Sequence, residues 1–395
     1  MEVVHRRKAS RVSPQVEGED VMNKIPENVV TNIMDRLPLR DAVRTSILST
    51  NWRFKWTLLT QLIFDANFFH YLFRRKFHFD KTNIIISRLL FHLEGGVTKF
   101  SLSIPKDIKV DDEDIHHWVM FLSRLGGFKD LVILNWSETP VKLPTHLFSC
   151  LELNRLKLHH CVLFPSYFCG FPKLLSLELL NVRFQGHRCG ELIAQCPLLE
   201  TLKIANTKLR GGMKLVEIAK LENVTFLGLA LYLLDDINTF LPENVAQNPV
   251  RITFPFLKTL SLFDMDFSSN SMLSCAFGLL FGCRNLQTLH ISAIYKNAVP
   301  LPLLFSQEVD CSTMGQLQLR NVKLDYIKDL ENEVYLMKCM LACSPMLKSL
   351  AIRCNSSIES HYKKYELKFE LASKLLQLHR ASHVAKISVF DYMYS

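Results

Sequence analysis

The chain has 395 residues, enough to bury a large core or to divide into two or three units. Hydrophobic residues make up 48% and charged residues 22%, the balance of an ordinary globular protein rather than a disordered or fibrous one. Eleven cysteines without a Cys-x-x-Cys pair argue against a zinc-binding array, and the apolar runs fall far short of the eighteen residues that suggest a membrane-spanning helix.

The net charge of +9 is unevenly spread. Residues 51–100 hold eight basic side chains (Arg53, Lys55, Arg74, Arg75, Lys76, Lys81, Arg88, Lys99) against three acids (Asp65, Asp80, Glu94), a local excess of five. Such an excess can attract an acidic partner or nucleic acid. No RNA-binding or helix-turn-helix signature accompanies it, so a solvated basic face is the preferred reading and nucleic acid is not expected as a partner. The odd cysteine count and the lack of a secretory signal suggest reduced thiols in nucleus or cytoplasm. His5-Arg6-Arg7-Lys8 is a weak nuclear-targeting candidate.

Residues 1–22 are polar, charged and aperiodic, and read as a disordered leader. From Ile25 to Trp56 the chain reads IPENVVTNIMDRLPLRDAVRTSILSTNWRFKW. Pro26 suits the first turn of a helix, and Val29, Val30, Ile33, Met34 and Leu37 recur at helical spacing before Pro38 stops it. A second short helix is expected over Asp41–Leu48. Ser49 is placed to cap a third, with Trp52 and Trp56 on one face. A unit this small cannot hold itself together alone. It must dock on the domain C-terminal to it or offer an apolar face to a partner.

Beyond Leu59 one pattern returns: apolar, two residues, apolar, one residue, apolar. It starts at Leu59, Val97, Phe128, Leu153, Leu174, Leu199, Val224, Leu257, Leu286, Met314, Leu347 and Val384. This L-x-x-L-x-L motif, recurring roughly every 20–30 residues, marks a leucine-rich repeat. Its last two anchors share one side of a strand, and the first holds the turn leading in. One repeat cannot bury its own apolar side, so neighbours must stack into a curved solenoid. The fold class is therefore α/β: a three-helix N-terminal module, then an irregular solenoid with one parallel sheet and convex helices. Helical return segments are expected over Thr82–Leu93, Asp111–Leu125, Cys189–Cys196, Ser271–Phe281 and Glu331–Ala342. The polar stretch Asp235–Pro255 reads as a loop on the binding side.

Catalytic chemistry finds little support. Asp111-Asp112-Glu113-Asp114 beside His116-His117 fits a helix start, where acids are favoured, better than a metal site. Cys161, after His159-His160, stands where such repeats place Asn or Cys for buried backbone groups, and reads as structural. Gly95-Gly96, Gly126-Gly127 and Gly211-Gly212 lack the flanks of a phosphate loop, and no G-x-S-x-G is present. No catalytic residue, metal or cofactor is expected.

The stretch Ile25-Pro26, Ile33, Leu37-Pro38-Leu39-Arg40-Asp41 and Thr45–Trp56 resembles the F-box, in the wording of plant F-box proteins that carry leucine-rich repeats and a C-terminal FBD region. Ile25 departs from the usual Leu, a nearly volume-neutral change. FPFLKTLSLFDMDF (254–267), MGQLQLRNVKL (314–324) and ENEVYLMKCMLACSPMLKSLAI (331–352) are similar to the FBD region. The resemblance implies four units: the leader 1–22, an F-box over 23–58, leucine-rich repeats over 59–310, and FBD-like repeats over 311–395 that cap the solenoid.

It further implies a non-catalytic substrate-recognition subunit of an SCF-type ubiquitin ligase. A Skp-family adaptor, and through it a cullin and a RING subunit, would dock on the F-box, and an unknown target protein on the repeats. Ile25, Pro26, Ile33, Leu37, Pro38, Leu39, Val43, Leu48 and Trp52 would form or support the adaptor face. Solvent-facing residues beside the strand anchors would read the target: Lys157, His159, Glu178, Asn181, Lys203, Asn206, Asp264, Arg320 and Arg353. The alternative is a non-catalytic scaffold without a degradative role.

Overall fold

The structure, a computed structural model, describes residues 25–74, 82–94, 96–164, 170–185, 189–207, 213–234, 237, 253–295, 316–355 and 361–391. The expected leader, the His5–Lys8 cluster, Arg75, Lys76, Asp80 and Lys81, Gly211-Gly212, Met314 and most of the 235–255 loop lie outside them.

The N-terminal module opens with α1 (Glu27–Arg36), preceded by Pro26 at φ −57°. Val30 and Met34 are buried one turn apart, which leaves Val29 and Ile33 facing out. Pro38 precedes α2 (Leu39–Arg44) in the same way, two residues earlier than the expected start. A single 3-10 turn (Thr45–Ile47) follows.

The expected third α-helix does not form. Ser49 does accept the Trp52 amide at 3.3 Å. The backbone bonds beyond it, however, join residues three apart: Arg53 to Thr50, Lys55 to Trp52, Thr57 to Phe54. The Thr57 hydroxyl also donates to the Phe54 carbonyl at 2.7 Å. Such local side-chain bonds compete with the α-helical ladder. A 3-10 turn (Lys55–Leu58) closes the module, Trp52 goes into the core, and Trp56 stays half-buried.

The solenoid begins at β1 (Gln61–Phe64), then α3 (Ala66–Arg74), α4 (Thr82–Phe91), β2 (Lys99–Ile104), α5 (Asp112–Arg124) and β3 (Asp130–Asn135). β4 (Val141–Lys142), β5 (Arg155–His159), β6 (Cys161–Leu163), β7 (Ser176–Leu180), β8 (Arg183–Phe184), α6 (Cys189–Ala194), β9 (Thr201–Ala205), α7 (Leu215–Ile218) and β10 (Phe226–Ala230) continue it. The chain then runs through β11 (Thr259–Asp266), α8 (Asn270–Gly282), β12 (Thr288–Ile294), β13 (Asn321–Ile327), α9 (Glu331–Cys343), β14 (Ser349–Cys354), α10 (His361–Gln377) and β15 (Lys386–Asp391). Twelve strands form one sheet in the order β1-β2-β3-β5-β7-β9-β10-β11-β12-β13-β14-β15. Every neighbouring pair is parallel. A second small parallel sheet, β4-β6-β8, was not expected.

Register explains the periodicity. Leu156 pairs with Leu177 and Leu177 with Leu202, while Leu158 pairs with Leu179 and Leu179 with Ile204. Each anchor thus packs on its equivalent one repeat away, and all six are buried. The Met314-x-x-Leu317-x-Leu319 motif is a correction. The strand in that repeat is β13, anchored by Leu319-x-x-Val322-x-Leu324, five residues later. The two patterns share Leu319, and pairing selects the second: Val322 lies opposite Leu289 and Leu350. The five expected return helices correspond to α4, α5, α6, α8 and α9; α3, α7 and α10 were not foreseen.

A further repeat feature is a left-handed residue seven positions after the first anchor. His160, Asn181, Asn206, Asp264 and Tyr326 all have φ between 50° and 66°. Asn and Asp tolerate that region best among residues with a side chain.

The two ends differ. The N-terminal module packs its buried Leu39, Trp52 and Leu59 into the common core with Leu62 of β1. At the other end, among the described residues, β15 pairs only with β14. Its inward Ile387 and Val389 are only half-buried, and Val384 is 74% exposed where the equivalent Leu199 and Val224 are buried. Tyr365, Phe369 and Leu376 of α10 are also exposed.

Glu333 ties the loop before α9. Its carboxylate accepts the amides of Leu330 (2.8 Å) and Lys328 (3.1 Å) and the Tyr295 hydroxyl, which also lies 2.9 Å from the Tyr326 carbonyl. Burial pushes its carboxyl from 4.5 up to about 7, and Asp329 adds to the rise, against the pull of those hydrogen bonds. The folded chain then holds a proton that the unfolded chain releases. The stability contributed is full below about pH 4.5 and is lost as pH rises to about 7, at most about 3 kcal/mol. Urea denaturation at pH 5 and pH 8 should show this loss, and Glu333→Gln should remove Glu333's share of the difference.

Candidate functional site

Two surfaces collect the residues that the sequence singled out. The first lies on the N-terminal module. Pro26, Ile33, Pro38 and Leu48 are exposed; Ile25, Leu37 and Val43 are half-buried; Leu39 and Trp52 are buried and support from beneath. Sequence reasoning missed three more exposed apolar side chains: Val29 (42%), Ile47 (78%) and Phe54 (64%), beside Leu48 at 63%. The signal was there for Val29, since it shares the outer stripe of α1 with Ile33. The module thus shows water a run of apolar side chains with nothing among the described residues to cover them.

Besides that core packing, one carboxylate ties this module to the solenoid at several points. Asp35 of α1 accepts the Thr60 amide (2.9 Å), the Thr60 hydroxyl (2.5 Å) and the Gln61 amide (3.3 Å). Thr60 and Gln61 lead into β1, so α1 is held at the first strand of the sheet.

The second surface is the open face of the large sheet. Its central row runs through mutually paired residues Val132, Lys157, Glu178, Lys203, Gly228, Ser261, His290 and Lys323. Glu178 pairs with Lys157 (2.8 Å) and Arg155 (3.0 Å). Burial would raise its carboxyl, but these two cations outweigh that and hold it below the usual carboxylate value. Asp325 sits among Lys323 (2.7 Å), His290 (2.8 Å) and Arg353 (3.8 Å), and is lowered by the same balance, with Lys323 and His290 overcoming burial. His159 Nδ1 lies 2.7 Å from the Asn135 carbonyl, and its ring stacks at 4.4 Å on the exposed Trp136. The Lys203 ammonium lies over the Phe263 ring at 5.3 Å.

The remaining candidates sit elsewhere. Asn181, Asn206 and Asp264 occupy the left-handed turn position and answer first to backbone geometry. Arg320 is exposed ahead of β13, where its backbone bonds Gln287 and Lys348. Trp136, Phe226, Phe263, His290, Lys323 and Asp325 belong to this face but were not singled out. They follow from the register once the second and third anchors of each motif are taken as inward.

The acidic run is engaged locally. Asp112 accepts the Lys142 amide (3.0 Å) and pairs with its ammonium (3.5 Å), and Asp114 accepts the Asn83 amide group. No group of three His, Cys, Asp or Glu among the described residues is arranged to hold a metal ion. Cys161 is buried, its thiol pushed up to about 12 by burial, and donates to the His159 carbonyl at 3.3 Å. No helix among the described residues is long and apolar enough to cross a membrane.

Comparison with known families agrees with this layout. Residues 22–61 match the F-box domain, and residues 115–228 match the family described as FBD-associated F-box protein At5g56370, LRR repeats. F-box/FBD/LRR-repeat protein At1g13570 of Arabidopsis thaliana is 28% identical, over 90% of this chain and 95% of that protein. Putative FBD-associated F-box protein At1g05080 of the same plant is 28% identical over 62% of this chain and 56% of its own length. FBD-associated F-box protein At4g10400 is 32% identical over 47% and 45%. Among solved structures, a plant peptide hormone receptor, RGFR1 in complex with RGF2, shares 15% identity with a TM-score of 0.28 over 65% of this chain and 42% of that one, too slight a likeness to argue from. The chain carries an F-box and FBD-associated leucine-rich repeats.

The Asp35 joint gives a direct expectation. Asp35→Ala leaves three donors at the start of β1 unpaired, at a cost of about 2 kcal/mol. Hydrogen exchange should speed up at the Thr60 and Gln61 amides, while amides in β9 and β10 keep their protection.

Proposed function

We propose that this F-box and leucine-rich-repeat chain is the substrate-recognition subunit of an SCF-type ubiquitin ligase. An F-box in general binds a Skp-type adaptor, and F-box/leucine-rich-repeat proteins are typically non-catalytic. The observation that carries the reading is the set of exposed apolar side chains on the N-terminal module, Val29, Ile33, Ile47, Leu48 and Phe54, beside a buried Trp52 that keeps the module folded. Exposed apolar groups gathered on one small module mark an interaction surface.

The mechanism is proximity. The adaptor, with its cullin and RING partners, is held at one end of the solenoid, and a target lies on the sheet face. Binding both raises the concentration of target lysines near the conjugating enzyme. The Asp35 joint supports this reading, because proximity is worth most when the two sites keep a fixed separation. Nucleus or cytoplasm is the proposed location, in keeping with nine described cysteines that are buried and form no disulfide among the described residues.

Co-purification with a Skp-family adaptor tests the proposal. The unaltered chain should give a one-to-one complex. Leu48→Asp with Phe54→Asp should lose it, and since both residues are exposed, the variant should melt within a few degrees of the parent. The double change Leu37→Asp, Pro38→Ala should also lose it, but with some loss of stability because Leu37 is half-buried. No complex from folded parent protein would sink the ligase reading and leave the repeats as a free-standing binding module.

A further inference from the structure

The sheet face carries more than an open surface. Across β5 to β14, besides Asp264 at the turn position of β11, its fixed charges are Arg155, Lys157, Lys203, Lys323 and Arg353 against Glu178 and Asp325. Both carboxylates are already neutralised by at least two cations each. What remains unspent is positive. Lys203 is the clearest case: among the described residues it makes no ion pair, and its ammonium rests on Phe263 instead.

Between the two charged clusters the surface changes character. Gly228 faces the same side as Lys203, its register partner. A Cβ there would stand 3.1 Å from Lys203 Cγ, 3.1 Å from Phe263 Cε2 and 3.2 Å from Phe226 Cε1. The missing side chain is what lets those three close over the strand. Ala205 and Ala230 lie alongside. The result is a closed apolar patch, with the half-buried Phe226 and Phe263 packed over Gly228 and the Lys203 ammonium beside them, and a net-basic cluster on either side.

We propose that this patch is the docking point for the target, and that it takes an extended acidic peptide segment with an apolar residue laid on the half-buried Phe226 and Phe263 rings and carboxylates reaching Lys203 and the flanking clusters. The proposal deepens the receptor reading and rests on it. Six strand spacings separate β5 from β13, about 29 Å at roughly 4.8 Å each. An extended chain of about nine residues covers that span.

The probe is a fluorescein-labelled nine-residue peptide of alternating glutamate and leucine, read by fluorescence polarisation against the full chain, with its lysine-for-glutamate counterpart and a nine-nucleotide thymidine strand alongside. The acidic peptide should bind at least ten-fold tighter than either, and more weakly as salt is raised. Lys203→Glu should weaken it at least ten-fold. Lys173→Glu, which makes the same charge change at an exposed ion pair with Glu152, should not. Phe263→Ser, at a half-buried position, should also weaken it at least ten-fold by removing the apolar contact. Equal binding of the two peptides, tighter binding of the thymidine strand, or an unchanged affinity in Lys203→Glu overturns the proposal. Adaptor capture, scored on the same preparations, separates this outcome from failure of the ligase reading, since none of these residues lies in the F-box.

Discussion

Every repeat in this chain has an apolar side that it cannot bury by itself. That constraint organises the rest. Leu177 has to lie on Leu156 and under Leu202, so the strands run parallel and in register. Parallel neighbours need a crossover, so each strand is followed by a return over the anchor side, helical or irregular. The turn out of the strand must start at once, and a left-handed residue at a fixed position does this at His160, Asn181 and Asn206. The open face is then left over, free of packing duty and available for charge.

The same constraint explains why a thirty-residue helical module can fold here. Trp52 and Leu39 join the core that Leu62 begins, so the module borrows the burial it lacks. Asp35 adds direction to that contact, since three donors at the entrance to β1 converge on one carboxylate. Apolar packing sets how strongly the module is held; the carboxylate sets where. The apolar residues left outside, Ile47, Leu48 and Phe54, can then stay exposed without the module collapsing onto them.

The solenoid was legible because a strong motif repeated many times and eleven of its twelve starts matched a strand. The one slip came where Leu317, Leu319, Val322 and Leu324 allow two readings, and only backbone pairing with β12 and β14 separates them. Two-residue strands such as β4 and β8 carry no period and leave no trace in sequence. The third helix of the N-terminal module was misjudged because capping by Ser49 is real, while the competing Thr57 hydroxyl bond is invisible until Phe54 and Thr57 are placed. On the sheet face, Lys157 and Glu178 were rightly put on the solvent side but read singly. Their pairing depends on which strands are neighbours, as does the convergence on Asp325. The turn role of Asn181 and Asn206 was in reach, for both stand seven residues beyond an anchor.

The unequal ends give the molecule a direction. A stack held by nearest neighbours behaves like a zipper. At the F-box end the first tooth is sewn down by packing and by Asp35. At the other, β15 is gripped from one side only, with Ile387 and Val389 half in water. Among the described strands, opening therefore starts at β15 and travels backward one repeat at a time, through β14 and β13, while the F-box end stays closed. The repeats that hold Asp325 and its three basic partners are the first to loosen, and those beside the F-box the last. The solenoid is thus a graded spring, stiff where it is anchored and compliant toward its tip.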